Sequence, residues 1–342
     1  MTVYPFFRAL LFKLEPERAH LLTLGLLHLA GGIQPMNWLL RQIFSAPQQP
    51  VHAFGLSFAN PIGLAAGYDK DGLGWPGLAC LSFGHIEIGT VTPQPQLGNP
   101  KPRLFRLLAD EALINRMGFP SGGEEFVIKQ LVKPRSNKLV LGVNIGKNKD
   151  TPIEAAAQDY LHLLRSLAPH ADYLAINISS PNTVGLRRLQ EREVLDQLLS
   201  QLVAERERLA GSSLRGLPLL VKLAPDLSDG ELDDALDVLL AHHIDGVIAT
   251  NTTISRDGLK SPLAGESGGL SGKPLFSRSL EMVMKIHQRT SGRMPVIGVG
   301  GIDNTTSVRK MLDAGAILVQ IYTGLVYQGP GLVKRILSDL VQ

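Results

Sequence analysis

Tyr173-Leu-Ala-Ile-Asn-Ile-Ser-Ser-Pro-Asn182 is the stretch whose reading decides the fold. Its first residues are apolar in succession, as in a strand covered on both faces. Pro181 then removes a backbone donor and stops the ladder. Asn177, Ser180 and Asn182 are left at the C-terminal mouth of the strand. An amide carries donors and an acceptor, so two of them match the edge of a planar heterocycle, and a hydroxyl beside them hands a proton on. The same residues also suit an Asx-type turn with a serine capping the next helix.

The texture recurs outward in both directions. Strands are expected at 62–66, 86–91, 138–145, 173–179, 218–224, 246–251, 295–299 and 316–322. Helical patterns lie near 152–168, 190–210, 229–242, 277–290 and 305–314, which gives the alternation of a parallel sheet. The fold class is therefore α/β, an eight-stranded (β/α)8 TIM barrel with an N-terminal helical extension. Val51 to Phe58 reads as an extra hairpin and residues 92–137 as an elaborated connection. A doubly wound sheet is the alternative, but Gly67-Tyr-Asp-Lys-Asp-Gly72 lacks the glycine spacing of a dinucleotide turn.

A barrel places its functional residues just after its strands. Ala66, Gly67 and Lys70 follow the first strand, Thr90 closes the second, Asn144 the third, and Asn177 with Ser180 the fourth. Lys222 lies on the fifth, Thr250 and Asn251 end the sixth, Gly300-Gly301 follow the seventh and Tyr322-Thr323-Gly324 the eighth. The last two sites are where barrels commonly hold a phosphate, and Gly269-Leu-Ser-Gly272 adds a flexible backbone segment. Lys70 and Lys222 supply positive charge well separated in sequence from that cradle, as a cofactor with a phosphate tail and an electron-accepting ring requires.

The chain has 342 residues, 44% hydrophobic and 19% charged, which excludes disorder; no apolar run is long enough for a membrane span. A net charge of +3 gives no footprint for nucleic acid. The single cysteine, Cys80, excludes an internal disulfide framework and a multi-cysteine metal site, and fits a reducing compartment; no metal is expected.

Residues 1–45 differ from the rest. Tyr4, Phe6, Phe7, Leu10, Leu11 and Phe12 crowd one stretch, Pro16 sits where a second helix starts, and Gly31-Gly32 end it. Arg8, Lys13, Glu15, Glu17 and Arg18 interrupt the apolar run, so it is not expected to be a signal peptide. Two short amphipathic helices lying in a bilayer interface have this pattern, and so does a helical pair packed on the main domain. The expected division is 1–45 as an N-terminal amphipathic helical region and 46–342 as the barrel.

The chain resembles dihydroorotate dehydrogenases of the membrane-associated, quinone-dependent class (class 2). The resemblance rests on GLAAGYDKDG (63–72), IEIGTVTP (86–93), PRLFR (102–106), LINRMGF (113–119), NIGKNKDTP (144–152), AINISSPNTVGLR (175–187), VKLAPDL (221–227), DGVIATNTT (245–253), GGLSGKPL (268–275), VIGVGGI (296–302) and LVQIYTG (318–324). It implies oxidation of (S)-dihydroorotate to orotate in pyrimidine synthesis, with one FMN per chain as first acceptor and a membrane quinone as second. It assigns flavin contacts to Ala66, Gly67, Tyr68, Asp69, Lys70, Thr90, Asn144, Asn177, Lys222, Thr250, Gly272, Gly301, Tyr322 and Thr323. It assigns substrate contacts to Lys70, Asn115, Arg116, Met117, Gly118, Phe119, Asn177, Asn182, Asn251 and Thr252. Ser180 matches the catalytic base, with the hydride going to flavin N5, and Arg106 is a candidate for the quinone head group. The soluble sister class carries cysteine where Ser180 stands. Val184 replaces an expected proline and Tyr68 an expected aliphatic residue. The resemblance further implies a peripheral protein on the bilayer surface, at the cytoplasmic face of the inner membrane in a bacterium. A non-redox sugar-phosphate lyase or isomerase and a non-catalytic membrane-docking module are the competing readings.

Overall fold

The computed structural model describes residues 4–134, 139–211 and 216–341. Three helices open the chain: α1 (Tyr4–Leu11), α2 (Pro16–Gly32) and α3 (Gln34–Phe44). Pro16 starts α2 as expected, and the Glu15 carboxylate accepts from the N–H groups of Glu17 and Arg18, satisfying donors that the first turn leaves open. The third helix was not expected. Its apolar residues Met36, Trp38, Leu39 and Ile43 point to solvent, so the burial pattern that marks a packed helix is missing.

A hairpin of β1 (Val51–Ala53) and β2 (Leu56–Phe58) follows, where expected. Then come β3 (Ile62–Leu64), α4 (Trp75–Leu78), β4 (His85–Val91), β5 (Leu104–Leu107), β6 (Ala112–Asn115), α5 (Glu124–Leu131), β7 (Val140–Ile145), α6 (Ala156–Leu167), β8 (Tyr173–Asn177) and α7 (Arg192–Ala210). The chain ends with β9 (Leu219–Leu223), α8 (Asp229–Ala241), β10 (Gly246–Ala249), β11 (Gly269–Gly272), α9 (Phe276–Thr290), β12 (Val296–Val299), α10 (Thr305–Asp313), β13 (Ala316–Ile321), α11 (Thr323–Gln328) and α12 (Leu332–Val341). The eight strands read from the sequence close into one parallel barrel in the order β3-β4-β7-β8-β9-β10-β12-β13, with β13 pairing back to β3. The first residue of the third expected strand, Lys138, and residues 135–137 of the expected connection lie outside the described residues.

Residues 92–134 contribute β5, β6 and α5. Gly269 to Gly272 are not a flexible segment but β11, which pairs antiparallel with β6 and so completes a three-stranded sheet over the barrel mouth. The glycines here serve close packing: a Cβ on Gly269 would overlap the Thr252 side chain.

The barrel interior is filled by size complementarity. A Cβ on Gly142 would lie 2.0 Å from Tyr173 Cζ, and one on Gly63 would lie 2.1 Å from His85 Nε2, so two missing side chains make room for two rings. Phe58 of the hairpin packs edge-on to His85 at 5.4 Å and closes the barrel's lower end. All chemistry is therefore confined to the opposite end, where the strands finish.

Candidate active site

The floor of the site is a buried polar network contributed by strand ends. The Glu87 carboxylate on β4 has no exposed surface and accepts from Asn144 Nδ2 at 2.9 Å, Tyr173 Oη at 3.0 Å and Gln320 Nε2 at 2.8 Å. Lys222 Nζ stands 3.8 Å from it. Burial pulls the Lys222 ammonium below its usual range while Glu87 works against that pull. Asn144 Oδ1 accepts from Thr90 Oγ1 at 2.6 Å and from Asn177 Nδ2 at 3.1 Å. Asn177 Oδ1 accepts in turn from Asn251 Nδ2 at 3.3 Å and from the Ser179 N–H and Oγ. Asn177 closes the expected Asx-type turn with its oxygen and joins the floor with its nitrogen. Ser180 caps no helix; its Oγ accepts from the Asn182 N–H at 3.2 Å.

The walls are loops that follow the strands. Lys70 Nζ donates to Gly67 O within the first of them, and burial pulls its ammonium down to about 8. Asn182 Nδ2 donates to Asn115 Oδ1 at 3.2 Å, which joins the loop after β8 to the end of β6. Ser180 is buried beside them, and Thr183 Oγ1, also buried, has no partner among the described residues. At the far end Gly300 and Gly301 adopt φ of 126° and 70°, and a Cβ on Gly301 would meet the start of α9 at 2.5 Å. Only glycine fits that approach of backbone to helix. Thr323 and Ser271 share a hydrogen bond of 2.8 Å there, as do Thr250 and Ser279 at 2.9 Å.

One cleft gathers most of the residues singled out from the sequence: Ala66, Gly67, Lys70, Thr90, Asn115, Met117, Gly118, Phe119, Asn177, Ser180, Asn182, Lys222, Thr250, Asn251, Thr252, Gly272, Gly301, Tyr322 and Thr323 line it. Four others stand behind its wall. Asn144 lies beneath the floor, bonded to Thr90 and Asn177. Asp69 faces away and accepts from the N–H groups of Leu73 and Gly74. Arg116 pairs with Glu266 at 2.7 Å and lies over the Phe105 ring. Tyr68 turns toward a second cavity. Glu87, Gln320, Ser179 and Tyr160, whose Oη donates to Asn177 O at 2.9 Å, were not singled out from the sequence. Glu87 and Gln320 had a visible signal, a polar residue within an otherwise apolar strand.

The second cavity lies between α1, α2 and the barrel. Phe7, Leu10, Leu11, Leu26, Leu27 and Leu113 line it, with Tyr68, His20 and Arg106 among them. Burial, helped by the Lys70 charge, pulls His20 down to about 4, so the ring is neutral near pH 7. Arg106 donates from both Nη groups, to Phe12 O at 2.8 Å and Leu14 O at 2.7 Å, and lies over the Phe12 ring. Tyr322 borders both cavities.

The sequence profile of the dihydroorotate dehydrogenase family matches residues 50–342. The chain belongs to this family. Proteins named dihydroorotate dehydrogenase (quinone) from Yersinia pseudotuberculosis and Yersinia pestis are each 49% identical over 338 residues, 98% of this chain and 99% of theirs. These full-length matches place the chain in the quinone-dependent class. The crystal structure of the Eimeria tenella DHODH in complex with ferulenol superposes with a TM-score of 0.83 at 38% identity, covering 95% of this chain and 90% of that one. Its ligand-free form gives 0.80 at 40% identity, covering 91% and 93%.

Dihydroorotate dehydrogenases are flavin-dependent oxidoreductases, and the cleft fits such a group. Gly67 has φ of 93°, and a Cβ built on it would rest in contact with the Tyr322 ring at 3.4 Å and Lys70 Nζ at 3.7 Å, so its backbone lies against the cleft between these two side chains. Gln320 Oε1 borders the cleft buried and unpartnered among the described residues, an acceptor without a donor. Lys222 supplies a donor, and the glycines at 300–301 bring backbone to the far end where an anion can rest.

Proposed function

We propose that the protein oxidises dihydroorotate to orotate in pyrimidine synthesis, with FMN as first electron acceptor and a membrane quinone as second. The observation that carries this reading is that Asn115, Asn177, Asn182 and Asn251 line one cleft with the buried Ser180 and with Lys70. Four amides match the alternating donors and acceptors of a dihydropyrimidine, and an ammonium pairs with its carboxylate. The substrate loses a proton from C5 and a hydride from C6. Ser180 Oγ takes the proton, and Thr183 Oγ1, buried with no protein partner among the described residues, passes it on through a water. A bound FMN would supply the two-electron acceptor for that hydride and the link to the quinone. Lys222 would hold the ring side of the flavin and offset charge gained on its reduction, and the backbone of Gly300, Gly301 and Thr323 would hold its phosphate.

The apolar cavity under α1 and α2 serves the quinone, with the free N–H groups of Arg106 for the head group. No helix among the described residues is long and apolar enough to cross a membrane. Phe6, Phe7, Leu10, Leu22, Leu26 and Trp38 are nonetheless exposed on α1 to α3, a patch of the kind that rests on a bilayer surface. Residues 1–45 are thus the membrane and quinone-access region of a peripheral protein, on the cytoplasmic face of the inner membrane in a bacterium, and residues 46–342 the catalytic barrel.

A spectrum of the purified protein tests the reading. It is expected to absorb near 450 nm, roughly the flavin band, and to bleach on anaerobic addition of dihydroorotate. A colourless protein would instead favour a sugar-phosphate enzyme on the same barrel.

A further inference from the structure

Glu87 lies one layer below the cleft, and nothing in an apolar strand calls for it. An ionised carboxylate in a barrel interior carries a large desolvation cost that a leucine would avoid. The groups at hydrogen-bond distance from its oxygens, Asn144 Nδ2, Tyr173 Oη and Gln320 Nε2, each donate to it. His85, two residues earlier on the same strand, adds no charge, because burial pushes it down to about 3. The charge near Glu87 that can offset its own is Lys222, at 3.8 Å.

The consequence runs along the floor. A carboxylate only accepts, so Asn144 must turn its NH2 toward Glu87 and its carbonyl toward Thr90 and Asn177. Asn177 must then turn its NH2 to that carbonyl and its own oxygen to Asn251 and Ser179. One buried charge fixes which way three amides face. It also divides the field of Lys222, which borders the cleft, between Glu87 and whatever lies above.

We propose that Glu87 is a positioning residue: it sets the donor and acceptor polarity of the floor and, as counter-charge to Lys222, holds down the redox potential of the flavin in the cleft. This rests on the reading that flavin binds there. A ring that takes up electrons gains negative charge, which Lys222 favours and Glu87 opposes at low dielectric.

The test is the midpoint potential of the full-length, FMN-loaded protein, measured by dye equilibration. Glu87→Gln, which keeps the shape and removes the charge, is expected to raise it by at least about 30 mV, a tenfold change for a two-electron couple. Tyr173→Phe removes a donor but leaves the charge, and is expected to shift it by less than that. An unmoved potential in Glu87→Gln, or an equal shift in Tyr173→Phe, overturns the proposal. Should Glu87→Gln be recovered without flavin, Glu87→Gln/Lys222→Met is compared with Lys222→Met alone. A higher potential in the double variant supports the role of Glu87, and equal potentials overturn it. Wild-type protein that binds no flavin refutes the functional reading itself, whereas bound flavin with an unmoved potential refutes this proposal alone.

Discussion

An alcohol is a weak base, so the part proposed for Ser180 depends on where it sits. It is buried, its Oγ accepts from a backbone N–H, and the unpartnered Thr183 hydroxyl lies three residues on. On that proposal, exclusion of bulk water would keep the proton from leaking. Ser180→Ala is therefore expected to retain FMN and to slow its bleaching by dihydroorotate by roughly 10²- to 10⁴-fold, the usual worth of a general base. Stopped-flow bleaching at the wild-type rate would remove Ser180 from this role. Ser180 and the floor amides were legible in the sequence because they interrupt apolar runs at their ends. Glu87 and Gln320 left a signal, a lone polar residue inside an apolar strand, but its meaning appears only when the barrel brings four strands together. Glu87 meets Asn144, Tyr173 and Gln320 across sequence separations of 57, 86 and 233 residues.

At the scale of elements, helix α2 and the substrate loops are tied by a buried pair. Arg103 donates to both Glu17 oxygens, at 3.2 and 2.8 Å, and its remaining nitrogen donates to Leu97 O and Asn99 O. Asn99 Nδ2 donates onward to Arg116 O and Asn182 O. A helix of the greasy N-terminus thus props the loop that carries Asn182. Glu17→Gln leaves Arg103 buried with a weaker partner, and breaking such a pair costs about 3–5 kcal/mol. The expected result is a lower urea midpoint and a raised KM for dihydroorotate, with quinone KM little changed; an unaltered KM for dihydroorotate would show that the link does not reach the site. None of this was readable beforehand, since Glu17 looked like one more charge breaking a hydrophobic run. The third helix escaped for a related reason, its apolar face being turned outward. Strand β11 escaped because its glycines suggest a loop until β6 is beside it.

For the molecule as a whole, the eight strands and the alternation of their helices were legible because each strand is apolar on both faces, the mark of a sheet enclosed on both sides. Strand neighbours, the closing pair β13 and β3, and the side-chain layers inside are set by packing of distant segments and leave no local trace. The assembly has two working ends of unequal character, a polar cleft and an apolar cavity. A protein lacking residues 1–45 is expected to lose quinone reduction and liposome binding while dihydroorotate still bleaches the flavin, with weaker affinity because Arg103 has lost Glu17. Quinone turnover at the full-length rate would return α1 to α3 to a purely packing role. The partition between the two ends is one side chain thick, since Tyr322 faces both. If the cleft takes dihydroorotate and the apolar cavity the quinone, as proposed, donor and acceptor have separate doors onto a shared wall: neither must leave before the other enters, and a molecule lodged in the apolar door would starve the second half of the cycle while the first half ran on until the carrier was full.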